Sequence, residues 1–158
     1  MTLDRNSLQE CLFKETEIVQ DIISRMANNQ FYIKGWAITL IVASLLLKDN
    51  LYHYFVAFVP WLIFWIYDSY FLRLEKMYRT HCTWLINNRL QSQELLLDFD
   101  KTRVEGNLRE GLKEKYIHEV PCITQIMFSK ALFFFYLTLL ALILLEITAE
   151  FSAKGVLI

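Results

Sequence analysis

Three long apolar stretches, Phe31 to Leu47, Leu51 to Tyr67 and Ala131 to Ile147, constrain this chain more than any other feature. Each strict run is 17 residues long, at the short end of what a helix needs to cross the hydrocarbon core of a bilayer. Buried helices of a soluble domain are the alternative, but a helix on a soluble surface keeps one polar face. Phe133, Phe134, Phe135, Tyr136, Leu137 and the run from Leu139 to Leu145 leave no such face. Fourteen of the sixteen Lys and Arg residues lie before the first stretch, at its entry, or between the second and third; only Lys48 and Lys154 lie elsewhere. That sorting is the positive-inside pattern, and it predicts a cytoplasmic N-terminus and an outer C-terminus. Tyr32 and Trp36, Tyr52 and Tyr54, and Trp65, Tyr67 and Tyr70 mark stretch ends, where amphipathic rings prefer the headgroup zone.

The expected fold is all-α: an integral membrane protein with three transmembrane helices and long helical cytoplasmic extensions. Residues 1–30 read as a cytoplasmic amphipathic helix, 31–70 as a transmembrane hairpin, 71–126 as a cytoplasmic helical stalk and loop, 127–150 as the third transmembrane helix and 151–158 as a short outer tail. No cleavable signal is expected, because residues 1–30 are charged and lack a hydrophobic core. Ser7-Leu8-Gln9-Glu10 has the form of a capping box, which predicts a helix start at about residue 8. Leu8, Cys11, Leu12, Glu15, Val19, Ile22, Ile23 and Met26 then recur at three and four, an apolar face broken only by Glu15. No proline precedes Pro60, so residues 8–47 predict one helix about 60 Å long. Its first half either packs in a bundle or lies flat on the bilayer, and mixed charge signs on its polar face favour the bundle.

Lys48-Asp49-Asn50 is a very short connection, so the first two spans are expected to be antiparallel neighbours, with Asp49 or Asn50 as N-cap. Lys34 lies 15 residues before position 49 and Asp68 lies 19 after it. At 1.5 Å per residue both sit about 22 to 28 Å from the outer turn, which predicts an ion pair at the inner membrane boundary. Pro60 near the centre of the second span predicts a kink. No Pro or Gly follows between Asp68 and Leu97, and Leu74, Met77, His81, Trp84 and Asn88 repeat at helical spacing, so the helix is expected to run on to about Leu97. Asp98 to Asn107 reads as a loop, Leu108 to His118 as a short helix, and Pro121 as the opening of the third long helix.

Chemistry-bearing motifs are scarce. The chain has no Gly-rich phosphate loop, nucleophile elbow or HExxH, and neither an enzyme activity nor a cofactor is expected. Cys11, Cys82 and Cys122 are scattered and read as reduced thiols. A net charge of −1, with basic and acidic residues interleaved, predicts no direct nucleic-acid binding. His81 lies near Arg73, Glu75, Arg79 and Cys82 and reads as a solvated or interhelical histidine; Arg79 and His81 point to different faces of a helix. Glu146, the acid deep in the third stretch, either sits at the headgroups, or lines a polar path or meets His53 or Lys48 near the same leaflet.

The segment IVQDIISRMANNQFYIKGWAITL, followed by a second span ending in DSYFLRLEKMYR, resembles a family of small bacterial multi-pass membrane proteins. Those proteins share an amphipathic lead helix, a tight hairpin and a D-x-Y-x-L-R-x-E-x-x-Y-R-like junction. The similarity covers about residues 15–90, with the third span alike only in kind. It implies that Asp68, Tyr70, Arg73, Glu75, Tyr78 and Arg79 organise the membrane boundary, and it implies residence in the bacterial inner membrane. A fainter resemblance is to the membrane accessory protein of type VI-B RNA-targeting CRISPR systems, which implies a homo-oligomeric, pore-forming effector in antiphage defence. That family's Arg-x(4 to 6)-His motif is not matched, since Arg73 and His81 are separated by seven residues. The expected function is thus a small oligomeric membrane effector or accessory, with a non-conducting membrane-anchored adaptor as the alternative. The expected partners are the lipid bilayer, further copies of the chain and a cytoplasmic protein.

Overall fold

A computed structural model describes residues 4–46, 52–90, 96–97, 99–100, 121–153 and 155, and every regular element among them is helical. The elements are α1 (Arg5–Leu46), α2 (Tyr52–Asn88), α3 (Ile123–Met127) and α4 (Lys130–Ala153). α1 starts one turn earlier than the Ser7 box predicts. The Leu8 amide donates to the Asp4 carbonyl at 3.0 Å, which makes Asp4 the flanking residue. Aspartate is itself a strong N-cap type, and nothing between Asp4 and Ser7 breaks a helix, so the earlier start prevails. α2 runs unbroken through Pro60.

Two compact units divide the chain. The first comprises Met1–Asn28 and Phe71–Cys122, the second Asn29–Tyr70 and Ile123–Ile158. In the first unit, the apolar stripe of early α1 meets the stripe of late α2. Val19 and Ile22 pack with Leu74, Met77, Tyr78, Trp84 and Leu85, and Leu12, Ile23, Met26, Phe71, Cys82 and Phe99 close around them. This is the i, i+3, i+4 logic of the sequence realised as a two-helix seam. Each fully buried aliphatic side chain there contributes about 1.5–3 kcal/mol.

In the second unit, the buried face of α4 is Leu132, Tyr136, Leu139 and Ile143, one row at helical spacing. It shares that interior with Ala37, Ile41 and Ser44 of α1, with Tyr54, Ala57, Asp68 and Ser69 of α2, and with Ile126 of α3. Outward-facing positions are apolar as well, among them Val42, Phe55, Leu62, Ile66, Phe134, Leu142 and Leu145. Among the described residues two helical segments are long and apolar enough to cross a membrane, Tyr54–Asn88 and Lys130–Ser152. Only 17% and 22% of their most apolar windows are buried, unlike the core helix of a soluble protein. α1, the expected first span, is not one of the two. Its apolar half is interrupted by Lys34 and Gly35, and the described helix stops at Leu46.

Two helix boundaries differ from expectation. α2 ends at Asn88 and not near Leu97; just past that end the Arg89 amide still donates to the Leu85 carbonyl at 3.0 Å while its side chain reaches Glu15 on α1. Pro121 does not open the third long helix: Pro121 and Cys122 are non-helical, and α3 and α4 are separated by a turn at Phe128 and Ser129. There the Ser129 amide makes a tight bond to the Ile126 carbonyl at 2.9 Å, and the Ser129 carbonyl accepts from Phe133 at 2.9 Å as α4 begins. The expected Lys48–Asn50 turn, the short helix at 108–118 and nearly all of the 98–107 loop lie outside the described residues.

Candidate functional site

Lys34 and Asp68, which residue counting brings to the same depth, are in contact. Lys34 Nζ lies 2.8 Å from Asp68 Oδ2 and donates to Oδ1 at 3.0 Å. The carboxylate is fully buried, whereas the lysine side chain keeps 31% exposure, with its ammonium 5.9 Å from the centre of the Phe135 ring. Tyr136 on α4 completes the cluster, its hydroxyl lying 3.0 Å from the Phe64 carbonyl and 3.3 Å from Asp68 Oδ2.

Two tryptophans extend this polar seam. Trp61 Nε1 donates to the Tyr136 carbonyl at 2.8 Å, and Trp65 Nε1 donates to the Met127 carbonyl at 3.2 Å. The Met127 carbonyl ends α3, so Trp65 satisfies a helix terminus that has lost its intrahelical donor. Trp65 also stacks on Tyr136 with ring centres 5.9 Å apart. Amphipathic rings of this kind bury a large apolar body while using one polar atom. The result is a fastening of α1, α2, α3 and α4 with the charges turned on one another.

Tyr70 is at the exposed end of that region, and Arg73 is half-buried. Glu75 receives Arg79 through Nε at 2.8 Å and Nη2 at 2.7 Å, an i, i+4 pair whose arginine is 63% exposed. Tyr78 is buried, and its hydroxyl donates to the Phe99 carbonyl at 3.2 Å. His81 is buried as well, stacked on Trp84 at 5.9 Å, so it is a histidine of the helix seam and not a solvated one. Arg79 is brought to Glu75. Glu146 is half-buried on α4; its expected partners Lys48 and His53 lie where side chains are not described.

Sequence reasoning missed Tyr136 and Trp61 in the Lys34–Asp68 cluster and three participants elsewhere. Arg89 is fully buried, and its Nε and Nη2 bond Glu15 Oε2 and Oε1 at 2.5 and 3.0 Å. Its guanidinium also lies 5.6 Å from the Trp84 ring centre. The signal was Glu15 itself, an acid on an otherwise apolar stripe, which calls for a buried cation. Leu97 was missed because its contribution is a backbone amide, which donates to Glu15 Oε1 at 2.7 Å. Glu150 was missed one turn beyond Glu146; the Tyr54 hydroxyl donates to it.

Cys11, Cys82 and Cys122 are free thiols, and burial pushes the Cys82 thiol above its ordinary range. No cluster of three metal-ligating side chains is present among the described residues. The arrangement is suited to fastening helices and to pairing buried charge. Comparison with family models, with curated proteins and with solved structures gives no match to this chain.

Proposed function

We propose that this chain is a non-conducting, membrane-anchored adaptor that carries no reaction. In this reading it crosses a bacterial inner membrane three times, N-terminus inside and C-terminus outside. The second unit is the anchor, and the first is the cytoplasmic part that meets a protein partner. Basic residues sorted to one side of the apolar stretches support that orientation. The low burial of α2 and α4 supports lipid contact, as do the exposed rings of Tyr32, Trp36 and Tyr67.

One observation supports the choice of adaptor over pore: among the described residues of the anchor, the buried carboxylate of Asp68 and the Tyr54 and Tyr136 hydroxyls find their partners within a single copy. Lys34 is held by Asp68 and Tyr54 by Glu150, while Asp68 also meets the Tyr136 hydroxyl. A conducting oligomer needs a polar seam along an outward face. The exposed hydroxyls of Thr39, Thr138 and Thr148 bond carbonyls of their own helix, at 2.9, 2.7 and 2.9 Å. The homo-oligomeric pore implied by the family resemblance lacks that structural support.

Membrane potential in cells overproducing the protein separates the two. With insertion verified by carbonate-resistant membrane fractionation, a potential-sensitive dye is expected to report an unchanged potential. Depolarisation that scales with expression would reject the adaptor.

A further inference from the structure

Beyond Asp68, α2 carries three basic residues at graded distances along its axis, Arg73, Lys76 and Arg79. At the helical rise they lie about 7.5, 12 and 16.5 Å past Asp68. Their charges are not equally committed. Arg79 is held by Glu75 at 2.7 and 2.8 Å. Among the described residues, no carboxylate stands within ion-pair distance of the Lys76 ammonium. Glu75 is the one acid between Asp68 and Arg79 in the sequence, and both carboxylates already hold a cation. This length of α2 therefore carries uncompensated positive charge.

Arg73 and Lys76 are half-buried, as expected of long side chains whose stems follow apolar surface while their heads reach a polar boundary. Three residues apart, they share one face of the helix. Side chains of an α-helix lean toward its N-terminus. α2 enters the cytoplasm with its N-terminal half in the bilayer, so Arg73 and Lys76 lean back toward the membrane. α1 runs the opposite way, and its basic side chains lean away from it. With Lys34 and Asp68 at the hydrocarbon edge, a headgroup layer about 5–7 Å deep brings lipid phosphate to the level of Arg73. Lys76, within a flexible stem's reach, stands just above it. Exposed Tyr67, next to Asp68, suits the same zone.

We propose that Arg73 and Lys76 form a subsite for the phosphodiester of an anionic phospholipid in the inner leaflet. Arg73 supplies a planar fork for two phosphate oxygens, and Lys76 adds a point charge. The inference rests on the membrane reading and deepens it by naming the lipid chemistry met at the inner edge.

Electron paramagnetic resonance of spin-labelled lipids tests it, with the full chain in phosphatidylcholine vesicles and insertion verified by protease protection. Spin-labelled phosphatidylglycerol is expected to associate with the protein ~3-fold or more over spin-labelled phosphatidylcholine. Arg73→Gln with Lys76→Gln should lower that ratio by ~2-fold or more. Lys76→Gln alone, which breaks no ion pair among the described residues, should lower it ~1.5-fold and serves if the double variant does not insert. Arg5→Gln with Lys14→Gln removes equal charge about 30 Å or more from Lys34 along α1, and should leave the ratio unchanged. Inorganic phosphate should weaken the preference no more than sodium chloride of equal ionic strength. A stronger effect of phosphate would mean a site for free anions and overturn the lipid assignment. Equal association of the two lipids with the inserted chain, or equal losses in the two double variants, would overturn the subsite alone. A chain that does not insert would remove the membrane reading and the subsite together.

Discussion

In the second unit Asp68 is fully buried while Lys34 keeps 31% of its side chain exposed; in the first, Arg89 and Glu15 are at 0% and 1%. Both pairs tie α1 to α2 or to the residue just past its end, yet they answer to different physics. Lys34 carries its charge on a flexible stem and can reach a polar boundary if its partner is lost. Arg89 has no such escape, and its planar fork matches the carboxylate at two points. The lesson is that an ion pair's importance follows from what its survivor can do once the partner is removed, more than from the distance between them.

The largest expected effect follows directly. Arg89→Ala leaves the Glu15 carboxylate buried with, among the described residues, the Leu97 amide as its donor, and should destabilise the first unit by about 3–5 kcal/mol, read as a lowered midpoint in denaturant-induced loss of helical circular dichroism. Replacing both partners by Leu should recover much of that loss, because an apolar pair of similar volume avoids burying a lone charge. A double variant no better than Arg89→Ala would mean the carboxylate is not what the single change harms.

Asp68→Asn should cost less, about 1.5–3 kcal/mol, because Lys34 can redirect its ammonium. Exchanging the two as Lys34→Asp with Asp68→Lys should restore part of the expression lost in the single variants. Tyr136→Phe removes one hydroxyl shared between the Phe64 carbonyl and Asp68, and a thermal shift equivalent to about 1 kcal/mol is expected. The smallest effect belongs to Arg79→Ala. Its i, i+4 bond to Glu75 is exposed on the arginine side, so a change within about 0.5 kcal/mol is expected in the same unfolding experiment.

The same contrast explains what could be read from the sequence. Lys34 and Asp68 were legible because counting at a fixed rise per residue from the short stretch between the first two apolar runs puts them at one depth. The stripe through Val19, Ile22, Leu74, Met77 and Trp84 was legible because helical spacing sorts apolar residues onto one face. Arg89 was not, although Glu15 announced that a cation was needed: no repeat says that α2 ends at Asn88 or which basic side chain beyond it reaches α1. Leu97 was hidden further, since a backbone amide leaves no trace in composition. The break between α3 and α4 was hidden too, because Phe128 and Ser129 carry neither Pro nor Gly and the turn depends on local hydrogen bonding. The start of α1 moved to Asp4 because two adequate caps lay close together and the first one sufficed.

The most direct test of the adaptor proposal, in which the Lys34, Asp68 and Tyr136 contacts close within each copy and no conducting seam is left, is single-channel recording of the purified protein in planar bilayers. Insertion would be verified by protease protection of the same preparation in vesicles. The account predicts a current indistinguishable from protein-free membranes across the applied voltage range. Discrete, reproducible current steps that disappear in Asp68→Asn would contradict it, since they would place that carboxylate on an ion path.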